Sequence, residues 1–319
     1  MNVQILIQNG NMMYSPIIQE GIVWQTERKG SPGKLTFTVV KDSVINFTEG
    51  NPVRMDIDGV KVFYGFVFSK KQSKDMNITV TAYDQIRYLK NKDIYVYTNK
   101  TASEFIKMVA NDYNLNLGTI ESTSFKIESR VEDNTTILDM IQNALDLERT
   151  NKKTMYVLYD ECGKLTLKAL ERMKLDIVID EETGENFDYT STIDSQTYNQ
   201  IKLVYENDKT SKREVYMAKD SSNINNWGIL QYYDTLQKGE NGQAKANALL
   251  DLYNAKTRNL KITNALGNPK VRAGSMVVVK LNLSDIMIQN FMLVESCKHT
   301  FKESEHRMDL TLRGGEFIA

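Results

Sequence analysis

Histidine and cysteine each occur only twice in this 319-residue chain, as His299, His306, Cys162 and Cys297. Too few cysteines are present for a disulfide framework, and the two fall in different expected domains, so nothing points to an oxidising compartment. Prolines number 4 and stand singly, which argues against a long disordered linker. No apolar run approaches the ~18 residues of a membrane span. The first residues, MNVQILIQNGNMMYS, show no basic leader and no small-residue cleavage site, so a secretory signal is not expected. Gly-x-x-x-x-Gly-Lys, Gly-x-Gly-x-x-Gly and Gly-x-Ser-x-Gly are all absent, which removes the usual phosphate loops and the nucleophile elbow. Charge of one sign is lacking too: Lys+Arg of 40 against Asp+Glu of 41 leaves −1. Such a balance gives no support to sequence-specific nucleic-acid binding, which usually shows a basic excess.

What is present is β pattern, and it comes twice. From Gly50 to Asp84 the chain alternates through Val53, Met55 and Ile57, runs apolar from Phe63 to Phe68, passes a charged loop and alternates again through Ile78, Val80 and Ala82. From Gly274 to Gly315 the same plan returns, with Val277, Val279 and Leu281, then Phe291 to Val294, then a charged loop, then Met308, Leu310 and Leu312. Alternation of period two is what a half-buried strand requires, because successive side chains point to opposite faces. Two β units of one plan, separated by unrelated sequence, predict a duplicated barrel or sandwich.

Other elements fall around these. Val3–Ile7, Ile17–Trp24 and Lys34–Val40 read as strands, and Asp58-Gly59 as a hairpin turn. Thr101 and Glu104 form a capping box ahead of a helix with Phe105, Ile106, Val109, Ala110 and Tyr113 on its apolar face, stopping near Gly118. A second helix is expected from Asn134-Thr135, with Ile137, Leu138, Met140, Ile141, Ala144 and Leu145 on its buried side. Met155–Tyr159 and Lys164–Leu170 flank Cys162-Gly163 as a hairpin. Residues 176–192 are acidic and turn-rich and suggest a boundary. Tyr198–Tyr205 and Ser211–Ala218 read as strands, Gln237–Gly242 as a polar flexible stretch, Ala244–Ala255 as a helix, and Leu260–Thr263 as a strand. The fold class is α+β, mainly β, with expected domains 1–94, 95–185 and 186–319. The first and last are β units, and the middle is a small α+β unit of two helices and a hairpin.

Residues able to carry chemistry are scarce. His299 and His306, seven apart and near Cys297, fit no standard zinc spacing, and a hairpin loop there would leave them solvated. Cys162 follows Asp160-Glu161, and acidic neighbours work against a thiolate. Glu132-Asp133, Asp180-Glu181-Glu182 and Glu303/Glu305 are the carboxylate pairs available for glycoside hydrolysis. That reaction needs one acid in an apolar pocket, whereas these stretches are polar and loop-like. The Ser69–Asp75 run SKKQSKD is basic without interleaved aromatics, as expected of a hairpin tip or a loop contacting a neighbouring subunit. Tyr95, Tyr97, Tyr232 and Tyr233 suit either an interface or strand packing. No catalytic, cofactor-binding or metal-binding residue is assigned.

In order, the chain carries VFYGFVFSKKQSKDMNITVTAYDQIRYLKNK, the TASEFIKMVANDYNLNLG helix, the EDNTTILDMIQNALDL helix, the TMYVLYDECGKLTL hairpin, the SQTYNQIKLVYEND strand and the C-terminal β unit. This succession resembles the baseplate hub proteins of contractile phage tails and tail-like bacteriocins of Gram-positive bacteria, the defective-prophage tail hub family. Phe63-Tyr64-Gly65, Ala82-Tyr83-Asp84 and Leu89 are similar to that family's first barrel, and Tyr198-Asn199-Gln200-Ile201 to the entry of its second. The resemblance implies two tube-protein-like β-barrels and a homotrimer whose six similar units form a ring. It also implies a structural rather than enzymatic role. Its implied partners are a central three-fold spike protein, a six-fold inner tube protein and other baseplate proteins. Synthesis in the bacterial cytoplasm and assembly into a tail or tail-like particle follow, without membrane insertion. The alternatives left open are a tail-associated cell-wall hydrolase and a monomeric cell-surface or carbohydrate-binding module.

Overall fold

The computed structural model describes residues 1–72, 74–75, 77–194, 196–207, 212–236, 240–282 and 287–314. Of the residues singled out above, Ser73, Ser211, Gln237 and Gly315 lie outside the described residues. Seven strands build the N-terminal unit: β1 (Val3–Asn9), β2 (Met12–Tyr14), β3 (Ile18–Glu27), β4 (Lys34–Val40), β5 (Pro52–Ile57), β6 (Val60–Gln72) and β7 (Asn77–Tyr83). Their order is β3-β4-β7-β6-β5-β1-β2. Leu35, Phe37 and Val39 of β4 and Val80 and Ala82 of β7 are buried on one face, with threonines between them on the other. Asp58 and Gly59 turn β5 into β6 with φ of 48° and 81°. That positive pair twists the turn to match the strands.

The middle section begins with a short 3-10 turn, Gln85–Lys90, capped by the Asp84 carboxylate, which accepts from the Ile86 amide. It continues through β8 (Lys92–Lys100), α1 (Ala102–Asp112), β9 (Leu117–Ile120), β10 (Ile127–Thr136), α2 (Ile137–Lys152), β11 (Tyr156–Asp160) and β12 (Leu165–Ala169). The capping box forms as expected, Thr101 Oγ1 accepting from Glu104 N at 3.3 Å and Glu104 Oε2 from Thr101 N at 2.8 Å. The first helix stops before Gly118, which lies in β9 instead. Asn114 takes the left-handed conformation (φ 51°), and Leu115 N returns to Ala110 O at 2.8 Å. Asparagine thus performs the stop expected of glycine. Helix α2 begins after Asn134-Thr135, because Thr135 and Thr136 still pair with Asp93 and Lys92 of β8. Phe105, Ile106 and Val109 pack with Ile137, Met140 and Ile141, and the rings of Tyr95 and Tyr97 lie 5.4 and 4.5 Å from that of Phe105.

The remainder comprises β13 (Lys174–Asp180), β14 (Asn186–Thr192), β15 (Gln200–Asn207), β16 (Lys212–Lys219), α3 (Ser221–Trp227), β17 (Gln231–Thr235), α4 (Gly242–Tyr253), β18 (Thr257–Leu266), β19 (Met276–Asn282), β20 (Met287–Lys302) and β21 (Glu305–Arg313). The acidic stretch 176–192 therefore holds two strands around a turn, with Asp180 Oδ1 accepting from Thr183 N and Thr183 Oγ1 at 3.0 and 2.8 Å. Strands β15, β16 and β17 make their own sheet, whose Ile201 and Leu203 pack with Ala246 and Leu249 of α4.

The duplication holds at residue level. The order β3-β4-β7-β6-β5-β1 is repeated by β14-β18-β21-β20-β19-β13. Gly50 and Gly274 both have positive φ, 87° and 91°. Gly50 N donates to Val67 O at 2.7 Å, and Gly274 N to Val294 O at 2.8 Å. Each glycine is the third residue of the same turn, closed by Asn51 N to Thr48 O in one and by Ser275 N to Arg272 O in the other. Each long strand then has a bulge at one place, between Val67 and Ser69 in β6 and between Val294 and Ser296 in β20. A bulge bends and twists its strand, so one strand can serve two neighbours along its length. The repeat departs in strand direction, since β1 runs antiparallel to β5 and β13 parallel to β19, and in the β15–α4 segment carried between β14 and β18.

Candidate assembly surface

The two β units are joined by a seam. Ile22–Glu27 of β3 pair antiparallel with Ser296–Phe301 of β20, so both units share one thirteen-stranded sheet among the described residues. Strand β19 covers the first half of that edge of β20 and β3 covers the second, with β21 on the opposite side. Trp24 stacks on His299 with ring centroids 4.6 Å apart. Thr26 Oγ1 accepts from Ala273 N at 2.9 Å. At the end of the seam Arg28 N donates to Glu295 O at 2.9 Å, and its guanidinium grips the Glu295 carboxylate at 2.7 and 2.9 Å. A bidentate pair of this kind fixes geometry as well as adding energy. Beyond it a cleft of about 480 Å³ gathers Arg28, Lys29, Arg149 and Arg313 around Asp146 and Glu295. Burial, with the charges of Arg28 and Arg149, pushes Lys29 below its usual value despite Asp146.

His299 and His306 lie on strands β20 and β21, not on a solvated loop; the turn between them is Glu303-Ser304. His299 is fully buried. Its Nε2 is 2.8 Å from Val271 O, so that nitrogen carries the hydrogen, and its Nδ1 accepts from His306 Nε2 at 2.8 Å. Burial lowers the His299 pKa to about 3 and that of His306 to about 4, while the Cys297 thiol, 3.1 Å from His299 Nε2, is pushed up. All three side chains are neutral near pH 7. Strand pairing brings them together, with His299 stacked on Trp24. Among the described residues no three His, Cys, Asp or Glu side chains are grouped to hold a metal.

A second polar cluster ties the middle section to both β units. Asp84 accepts from Gly33 N at 2.8 Å and Ile86 N at 3.0 Å. Asp160 accepts from Gly163 N at 2.6 Å, and Arg272 Nη1 donates to Asp160 O at 2.8 Å while its guanidinium lies 4.2 Å from the Tyr159 ring centre. Burial raises both carboxyls, and the Asp160 charge raises Asp84 further. Cys162 sits in the adjoining turn at φ 49°, its thiol donating to Lys61 O at 3.2 Å. Burial and Asp160 hold that thiol up, away from the thiolate.

The carboxylates weighed for hydrolysis are dispersed. Glu132 is buried on β10 against Arg130 Nε at 2.8 Å, and Asp133 beside it is exposed. Glu181, Glu182, Glu303 and Glu305 are exposed. Of the tyrosines, Tyr95 and Tyr97 belong to the middle core, Tyr232 packs on Tyr198 and Tyr253, and Tyr233 is exposed. The seam residues Trp24, Thr26, Arg28 and Glu295 escape sequence reasoning, because no local pattern tells one strand which distant edge it meets. The repeat was the only available signal.

Several strand edges stay open among the described residues, and two of them correspond by the repeat to the strands of the seam. Strand β14 pairs on one side only, with β18. Ser69–Lys71 of β6 pair only with β7, since β5 covers no residue of β6 beyond Phe66.

The YQBQ-like family model matches residues 22–313. The chain belongs to the YQBQ-like family. YqbQ of Bacillus subtilis (strain 168) is 30% identical over 306 residues, spanning 92% of this chain and 91% of that protein. The phage-like element PBSX protein XkdQ of the same strain is 29% identical over 306 residues, with 92% of each chain covered. The 43 kDa tail protein of prophage MuSo2 from Shewanella oneidensis has the same fold, with a TM-score of 0.72 at 12% identity over 97% of this chain and 98% of that one. This member of the YQBQ-like family is mainly β and shares its fold with a prophage tail protein.

Proposed function

We propose that the chain is a baseplate hub: three copies close a ring of six like β units that joins a six-fold inner tube to a three-fold central spike. The observation that carries this is the internal seam. Two like units already meet edge to edge within one chain, and each leaves an edge open at its far end. A repeated interface that closes on itself makes a ring, and pairing covers strand edges that would otherwise template aggregation. Two units per chain let one molecule present three-fold symmetry to the spike and near six-fold symmetry to the tube. Its partners are thus further copies, the spike, the tube and other baseplate proteins, and its place is in the tail or tail-like particle.

The role is structural rather than enzymatic. Asp84 and Asp160, the buried carboxyls with raised pKa, are held by backbone amides and Arg272 between cores, and neither lines the cleft at the seam. The test is light scattering after size exclusion, on the chain alone and mixed with its spike protein. A mass near three times 36.6 kDa in either condition is expected. A monomer under both would overturn the hub assignment.

A further inference from the structure

Internal symmetry points to a specific contact between copies: we propose that β14 of one chain pairs antiparallel with Ser69–Lys71 of β6 in the next, in the register that β3 keeps on β20. This rests on the hub assignment and supplies its interface. Strand registers give the correspondence. Lys34 and Asn259 pair with Tyr83 and Arg313, the last residues of β7 and β21. Gln25 faces Lys34 as Thr190 faces Asn259, so Thr190 stands where Gln25 does, Ser191 where Thr26 does, and Tyr189 where Trp24 does. On the other strand, Ser69, Lys70 and Lys71 pair with Thr81, Val80 and Thr79, as Ser296, Cys297 and Lys298 pair with Thr311, Leu310 and Asp309. Within the chain Lys298 faces Gln25, Cys297 faces Thr26 and Ser296 faces Glu27. Between chains, therefore, Lys71 faces Thr190, Lys70 faces Ser191 and Ser69 faces Thr192.

Three features of the residues so placed agree. Thr26 Oγ1 takes the Ala273 amide, in the residue before Gly274. Its counterpart before Gly50 is the Glu49 amide, which makes no hydrogen bond among the described residues. The neighbouring Ser191 hydroxyl is the acceptor it needs. Second, Phe68 and Ile193 stand where Glu295 and Arg28 do, so an apolar pair replaces the ion pair at the end of the seam and both partners remain compatible. Third, the charges complement: Lys70 and Lys71, with Lys74 beyond, meet a strand carrying Asp188 and preceded by Glu185. Lys71 and Asp188 become diagonal neighbours on one face. The basic run, whose Lys70 also reaches the Phe47 carbonyl, and the acidic stretch, whose Glu185 also accepts from Asn264, are the two halves of one contact.

The experiment is cysteine pairing in the full chain with Cys162→Ser. Lys71→Cys with Thr190→Cys places directly opposed Cβ atoms about 4.5–5.5 Å apart, close enough for a disulfide to form with slight adjustment. Lys71→Cys with Asn186→Cys, four residues out of register and about 13 Å away along the strand, is the control. Mild oxidation is expected to give covalent species ending at three chains for the first pair, at least ten-fold more than for the control. A trimer by light scattering that cross-links no better than the control would overturn the seam and leave the hub standing. A monomer for the unmodified chain, with and without spike, would overturn both. Covalent species running past three chains would support the edge pairing and overturn the closed ring. As a second readout, Ser191→Ala should weaken each of the three contacts roughly five-fold, the loss of one hydrogen bond apiece; an unchanged trimer would remove the Glu49 contact.

Discussion

At the scale of single residues, the seam depends on side chains kept neutral. His299 keeps its ring uncharged because it is buried against Trp24, His306 and the Val271 carbonyl. Its folded pKa of about 3 lies below the ordinary value of 6.5. The unfolded chain therefore binds more protons between those values, and stability is full above about pH 6.5 and falls as pH drops toward 3. Asp84 and Asp160 act with the opposite sign: raised carboxyls add stability at low pH that is lost as pH rises past the usual carboxylate range. A difference measurement separates the two. Urea unfolding at pH 7 and pH 5 should show the native chain losing about 2 kcal/mol more than His299→Phe. Equal losses would mean that His299 is charged or solvated in the fold. The glycines give a second residue-scale test. A Cβ on Gly50 meets nothing within 4 Å, whereas one on Gly274 comes within 2.4 Å of Val157 Cγ1. Both replacements strain a positive φ, by about 1–2 kcal/mol. Gly274→Ala should lose about 1–3 kcal/mol more through overpacking, read as a lower denaturation midpoint. Sequence placed both glycines at the starts of equivalent strands, but could not show that only one abuts another domain.

At the scale of elements, legibility followed periodicity. Strand β4 and the capping box of α1 were readable because each depends on residues at most a few positions apart. The stop at Asn114 and the strands around Asp180 were not. There a polar residue served a backbone need usually met by glycine, and acidic side chains on an exposed edge strand looked like a turn-rich linker. The histidines were misplaced for the same reason: charged neighbours suggested a loop, while cross-strand partners, invisible locally, bury His299 and half-bury His306. The β3–β20 seam is the extreme case, since it joins residues about 270 positions apart, as Arg28 and Glu295 show. Its strength can be measured within one chain. Thr26→Val keeps the shape but leaves the Ala273 amide buried without an acceptor, and should cost about 1–3 kcal/mol. Trp24→Ala empties the stack over His299 and should cost about 3–5 kcal/mol. If both variants unfold at the native denaturant concentration, the seam does not hold the two units together.

At the scale of the molecule, the proposed ring has a duplicated unit make one contact serve twice, first between halves of a chain and then between chains. Sequence showed that two units of one plan exist. It did not show that they share a sheet, because edge pairing is a tertiary choice written in register rather than in composition. The most direct measurement is electron cryomicroscopy of the assembled chain bound to its spike, viewed along the axis. Six similar lobes related by exact three-fold symmetry, with β14 of each chain lying along β6 of the next, are expected. Three isolated two-lobed chains touching through other surfaces would contradict the ring.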